Sequence, residues 1–222
     1  MTLALIHTRA LDGLQAPPVV VEVHVANGLP AFSLVGLADA EVREARDRVR
    51  AALLSSGFEF PARRITVNLA PADLPKDSGR FDLPIALGLL AASGQLPALN
   101  LNDYEFAGEL SLTGSLRPVR GALALALASQ KAGRTLILPE ASGAEAALAE
   151  GASVRVAHTL REVCAHLMGE DQLPLPKKPD LSHLASYPDL SDVKGQAQAR
   201  RALEIAATGG HALLMLGPPG TG

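Results

Sequence analysis

The chain has 222 residues, 48% hydrophobic, 19% charged and 3% aromatic, with a formal net charge of −3 and no Trp. This is the mix of an ordinary soluble globular protein, and its slightly acidic sum excludes wholesale coating of nucleic acid while permitting a local basic groove. One Cys excludes an internal disulfide; with no leader pattern and no apolar run of bilayer-crossing length, no membrane association is expected and the cytoplasm is the expected location.

Leu3 to His7 reads as a short first strand. Val19, Val21, Val23 and Val25 then alternate with Val20, Glu22 and His24, which predicts a strand with one buried face and places His24 on its polar side. Asn27-Gly28-Leu29-Pro30 supplies a turn, and Ala31 to Gly36 is expected to return as a neighbouring strand. From Asp39 the period becomes helical through Val42, Ala45, Val49, Ala52 and Leu53, with Asp39 as N-cap and Gly57 as stop. That helix carries mixed charge, with Asp39/Arg43 and Glu44/Arg48 at i,i+4 spacing. A solvated face is the plain reading. The functional alternative is that Arg43, Arg46 and Arg50, with Arg63 and Arg64 further on, form a DNA or subunit surface. Neither lysines nor interleaved aromatics reinforce that alternative in the sequence.

Ile65, Val67 and Leu69 mark another half-buried strand. A polar loop from Asp73 to Arg80 leads to an apolar helix opened by Asp82 as N-cap and Pro84 in its first turn. Beyond it a β-then-α rhythm continues: a strand over 104–110, a helix over 121–132, a strand over 135–138, a helix over 142–149, a strand over 153–157 and a helix over 160–168. Alternation with short links predicts an α/β layer fold for residues 1–168. Cys164 and His166 stand two positions apart on the last helix, hence on different faces, and make no catalytic pair.

Residues 169–188 hold Pro174, Pro176, Pro179 and Pro188 and read as a linker. A helix closing at Gly209-Gly210 then precedes an apolar run, Leu213 to Leu216, expected as a buried strand, and Gly217-Pro218-Pro219-Gly220-Thr221-Gly222. Those six residues match the start of the phosphate-loop pattern G-x-x-x-x-G-K-[ST], in which backbone N–H groups cradle phosphates. Its Lys and Mg²⁺-binding hydroxyl would fall at the next two positions, so 189–222 is expected to be the start of an ATPase domain, truncated inside that motif. This stretch is expected to be inactive alone.

The stretch 189–222, D-L-S-D-V-K-G-Q through G-P-P-G-T-G, resembles the magnesium-chelatase-like branch of AAA+ ATPases. Upstream, V-E-V-H-V-A-N-G-L-P-A-F-S-L-V-G-L-A-D and P-A-D-L-P-K-D-S-G-R-F-D-L-P resemble the YifB/ComM family. The resemblance implies an N-terminal domain with the ribosomal protein S5 domain 2-like, Lon-protease-like fold, followed by a hexamer-forming motor that uses ATP and Mg²⁺. It further implies a DNA helicase promoting branch migration in recombination during natural transformation, acting on branched or single-stranded DNA. A chelatase-type ATPase that remodels a protein or metal-insertion complex, with the first domain as adaptor, is the alternative. Nucleotide contacts carry over to Gly217, Pro218, Pro219, Gly220, Thr221 and Gly222. No catalytic residue or metal ligand is assigned. Lon-type peptidases pair a Ser nucleophile with a Lys, but the nucleophile position falls on Phe81 or Asp82 rather than Ser78, and the Lys position falls near Leu123.

Overall fold

The valine alternation buries one face of a nine-residue strand, and its neighbours are laid on either side of it. The structure is a computed structural model that describes residues 2–36, 44–74, 76, 78–97, 101–179 and 189–220. They divide into two compact units, Met1–Pro179 and Asp180–Gly222.

In the first unit, β1 (Thr2–Arg9), β2 (Pro18–Ala26), β3 (Ala31–Val35) and β4 (Arg64–Ala70) form a sheet in the order β1-β2-β4-β3. β1 and β4 flank β2 antiparallel, and β3 runs parallel to β4 at the edge. The returning strand expected over 31–36 is present and runs antiparallel to β2, but it pairs with β4 rather than with β2. Both edges of β2 are occupied, and β3 joins β4 through the long connection a parallel pair requires, which carries α1 (Ala45–Ser55). The expected N-cap of that helix, Asp39, lies outside the described residues, as do Val42 and Arg43.

α2 (Asp82–Ser93) packs against β1 and β2. Ten of its twelve residues are buried, the signature of a central helix rather than a surface one. Each buried leucine there contributes about 1.5–3 kcal/mol of burial free energy. Gly88 sets the helix-to-sheet approach, since a Cβ there would lie 2.5 Å from Val23 Cγ2. Asp82 is not the N-cap: it occupies the first helical turn, and its carboxylate turns to Arg48 and the Leu110 N–H instead.

A second, parallel sheet follows. Its strands are β5 (Tyr104–Phe106), β8 (Thr135–Pro139) and β9 (Val154–Ala157), in that order, with β6 (Glu109–Leu110) and β7 (Leu116–Arg117) forming a separate hairpin between the first two. The strand expected over 104–110 breaks at Ala107-Gly108. There the backbone leaves the sheet to brace the start of α2, the Gly108 N–H donating to the Arg80 carbonyl and the Leu83 N–H to the Gly108 carbonyl, both at 3.0 Å. α3 (Ala122–Lys131) precedes β8, and α4 (Gly143–Ala146), shorter than the expected 142–149 helix, precedes β9. α5 (Leu160–Met168) closes the series with the expected bounds, its Thr159 cap accepting from the Glu162 N–H. Buried Glu105 on β5 accepts from Arg9 of β1 and from Arg134, so one carboxylate ties the two sheets together.

Residues 173–176, in the stretch read as linker, run along the outer side of β9. The Val156 N–H donates to the Pro174 carbonyl at 3.1 Å, Arg155 donates to the Leu173 carbonyl at 2.7 Å, and the Leu173 side chain is buried in the core. His166 Nδ1 accepts from the Leu173 N–H, and Tyr104 meets the imidazole edge-on. Cys164, on the opposite side of α5, is fully buried, and burial pushes its thiol up to about 12. Iodoacetamide at pH 8 should therefore label it no faster than the protein unfolds; rapid stoichiometric labelling of the native chain would contradict the packing.

In the second unit, a turn at Leu190–Asp192 leads to α6 (Ala197–Gly209), whose C-cap Gly210 has φ +63°. Ala206 is the buried residue on that helix. Among the described residues, no helix is long and apolar enough to cross a membrane.

Candidate nucleic-acid interface and phosphate loop

Arg46 and Arg50 lie one turn apart on α1, and both are exposed. The chain after that helix folds back so that Phe58 and Phe60, both half-buried, pack against the core. Gln95 fixes this return from both sides: its carbonyl accepts from the Glu59 N–H at 2.8 Å and its amide donates to the Glu59 carbonyl at 2.9 Å. Pro61 and Ala62 lead to Arg63, whose carbonyl accepts from the Ala31 N–H where β3 begins. The result is a cleft of about 280 Å³ lined by Pro30, Ala31, Phe32, Arg46, Arg50, Phe60, Pro61, Ala62 and Arg63.

Phe32 and Phe60 face each other with centroids 6.4 Å apart, and the Arg50 guanidinium carbon lies 5.6 Å from the Phe60 centroid. That cation–π contact contributes about 0.5–1 kcal/mol at an exposed site and keeps the guanidinium over the ring. Three of the five arginines expected to form a basic surface thus share one cleft. Arg64 is exposed at the start of β4 but does not line it, and Arg43 lies outside the described residues. The aromatics were invisible to a reading along the helix, because Phe32 and Phe60 come from segments before and after it. The alternation of β3, with Phe32 and Leu34 half-buried and their neighbours exposed, carried the one available signal.

The polar loop before α2 holds a different arrangement. Lys76 is buried and donates to the Pro71 carbonyl, and burial lowers its pKa. Ser78 accepts from Arg80 Nε at 3.0 Å, with no hydrogen bond to Lys76. Phe81 and Asp82, the positions matching the Lon-type nucleophile, are both fully buried. Asp82 accepts from Arg48 through both carboxylate oxygens, at 2.8 and 3.1 Å, and from the Leu110 N–H at 3.2 Å. Even so, burial outweighs these contacts and pushes the carboxyl up to about 6. The chemistry available here is a buried charge pair bracing α1 against α2, without an accessible nucleophile.

In the second unit, Leu213, Leu214, Met215 and Leu216 are 41, 80, 66 and 88% exposed and adopt no strand. The expectation of a buried strand there is corrected: a strand needs a ladder partner for its backbone groups, and none flanks this run among the described residues. Gly217, Pro218, Pro219 and Gly220 follow, all exposed, while Thr221 and Gly222 lie outside the described residues. Gly220 has φ +86°, and a Cβ there would meet open space. The requirement for glycine at that position is therefore conformational rather than steric, and a left-handed residue of this kind suits a backbone that turns its N–H groups toward an anion. Among the described residues, no group of three or more His, Cys, Asp or Glu is placed to hold a metal ion.

Comparison with known proteins adds a family to this geometry. Residues 21–142 match the family model for subunit ChlI of Mg-chelatase, and residues 189–222 match a second model described as magnesium chelatase, subunit ChlI. YifB of Escherichia coli strain K12 is 53% identical over 222 residues, covering the whole of this chain and 44% of its own length. Competence protein ComM of Haemophilus influenzae is 51% identical over 227 residues, covering the whole chain and 45% of its own. Lon protease of Chloroflexus aurantiacus is 30% identical over 128 residues, 54% of this chain and 15% of that protein. The chain thus spans less than half the length of the YifB and ComM relatives. With more than half of its residues inside the first model and its full length aligned to YifB and ComM, the chain belongs to the Mg-chelatase ChlI family, among its YifB/ComM members.

Proposed function

We propose that this chain is the front portion of an ATP-dependent DNA-processing motor, a homo-hexameric helicase that promotes branch migration in recombination during natural transformation. One conjunction carries the reading: a phosphate-loop start at Gly217–Gly222 within a chain that aligns end to end with a protein named competence protein ComM. In this reading residues 1–168 are a non-catalytic module of the S5 domain 2-like, Lon-protease-like type, 169–188 link it to the motor, and 189–222 open the AAA+ ATPase domain. The similarity to Lon protease supports the first assignment, and the buried Phe81 and Asp82 support a module without peptidase chemistry.

ATP with Mg²⁺ would supply the phosphoanhydride whose hydrolysis drives the motor. This chain's contribution is backbone N–H groups of Gly217, Gly220, Thr221 and Gly222 around the phosphates, with the left-handed Gly220 setting the turn and Pro218 and Pro219 stiffening it. The protein works in the cytoplasm. The match to chelatase subunit models favours a second reading, an ATPase that remodels a protein or metal-insertion complex with the first module as adaptor. ATP turnover of the longer protein, with and without four-way-junction DNA, separates the two. Stimulation by the junction supports the helicase; turnover indifferent to DNA but raised by a captured protein partner supports the remodeller.

A further inference from the structure

The strongest unassigned feature is the cleft between β3, α1 and the loop before β4. Among the described residues its lining holds three arginines and no carboxylate; Asp47 and Glu59, although sequence neighbours, do not line it. Elsewhere in the same unit Arg9, Arg48, Arg117 and Arg134 each meet a carboxylate. Among the described residues Arg46, Arg50 and Arg63 have no ion pair, so the described lining gathers three like charges, an arrangement that favours an anion. Two of the chain's five phenylalanines stand in the same place, half-buried and facing each other. The Arg50 guanidinium carbon stands over the Phe60 ring at 5.6 Å, so cation and aromatic surface are presented together in the cleft.

We propose that this cleft is a single-strand nucleic-acid subsite, in which one unpaired base packs against the Phe32 and Phe60 rings beside Arg50 while Arg46 and Arg63 hold the flanking phosphates. The proposal rests on the DNA-motor reading for its biological setting and names the form of nucleic acid that the first unit takes. Charge alone would suit a duplex or an acidic peptide equally. The aromatic pair decides between them, because an unpaired base offers a free π-face for those rings, which a paired base in a duplex and a carboxylate do not. The volume agrees, since about 280 Å³ lies at the small end of ligand pockets and admits one ring rather than a stacked run. Preorganisation agrees too, because Gln95 clamps the loop that presents Phe60 from both sides. No base-specific hydrogen-bonding group lines the cleft apart from the arginines, so recognition should be tolerant of sequence.

The test is fluorescence anisotropy of labelled oligothymidylate of about 12 nucleotides, and of a duplex of equal length, with the 222-residue chain across a salt series. Single strand should bind more tightly than duplex. Phe60→Leu keeps an apolar contact with the core and should weaken single-strand binding by about tenfold or more with the salt slope unchanged. Arg63→Ser, an exposed change with no packing to lose, should reduce the salt slope by about 0.7. No binding by the parent chain, equal affinity for duplex, or a Phe60→Leu variant that binds like the parent would each overturn the proposal. So would displacement of the oligonucleotide by polyglutamate at equal charge concentration. ATP turnover of the longer protein keeps this failure apart from failure of the motor reading. Single-strand stimulation that survives Phe60→Leu together with Arg63→Ser removes the cleft and leaves the motor; an oligonucleotide bound as described, with turnover indifferent to every DNA, leaves the cleft and removes the DNA motor.

Discussion

Replacing Arg48 by methionine should lower the stability of the first unit by about 3 kcal/mol at pH 7, seen as a fall of about 6–12 °C in its melting temperature. Arg48 supplies two of the three hydrogen bonds that hold the Asp82 carboxylate, and methionine keeps much of the aliphatic stem while removing them. What remains is a carboxylate buried at the start of α2, with the Leu110 N–H as its surviving donor. The sign of the pH dependence follows from the carboxyl being raised from 3.8 to about 6 in the folded chain. A raised carboxyl pKa means that the native state holds its proton to higher pH than the unfolded state does. This contribution to stability is complete below pH 3.8 and is lost as the pH rises through about 6. Removing the arginine takes away the contacts that lower the pKa, so the loss extends to higher pH and deepens. The deficit of Arg48→Met should accordingly shrink toward pH 4, where the carboxyl is protonated, and Asp82→Asn in the same background should recover most of it at pH 7. Melting curves of the parent and both variants between pH 4 and 8 check this. A deficit independent of pH would show that the arginine matters through packing instead.

Gly36→Ala should be costlier still, at about 4 kcal/mol. The residue follows β3 with φ +104°, a conformation that costs a side-chain-bearing residue about 1–3 kcal/mol. Its Cβ would also stand 2.3 Å from the Leu69 carbonyl oxygen and 2.9 Å from the Leu69 carbonyl carbon and nitrogen. These are backbone atoms of β4, in the middle of the sheet, and cannot swing aside as a side-chain tip can. The strand would have to peel from β4, and Phe32 would leave the cleft with it. Denaturant unfolding should show the loss, and oligothymidylate affinity should fall alongside. A variant within about 1 kcal/mol of the parent would mean that this close approach is not maintained in solution.

The two glycines of greatest consequence were differently legible. Gly220 announces itself through its neighbours, because G-P-P-G-T-G is a local pattern with a known purpose. Gly36 reads in the sequence as the end of a strand, since the carbonyl it must pass belongs to Leu69, 33 positions on (69 − 36). The same division runs through the fold. Val19–Val25 and Leu160–Met168 show their period in their own residues, and both elements formed where that period placed them. The partner of β3 has no such local trace, because parallel pairing is settled by a crossover and by which strand edges are already occupied. Asp82 looked like a cap because an acidic residue before Leu-Pro fits one; the guanidinium that claims it lies 34 residues upstream. The cleft was half legible: its arginines share a helix face and the approach to β4, whereas its rings were supplied by the fold.

The strap at residues 173–176 determines how a pull along the chain would reach the first unit. Tension arriving from beyond Pro179 loads Pro176 first, then the single backbone hydrogen bond from Val156 to Pro174, and last the Arg155 contact and the buried Leu173 side chain. Contacts in series along a strand edge would open one after another, like a zip, under a pull directed away from that edge. The parallel sheet behind them, whose strands would have to shear together, is spared. Under such a pull the strap would give way by a few residues before the strands, the cleft and the buried charge pair bear load.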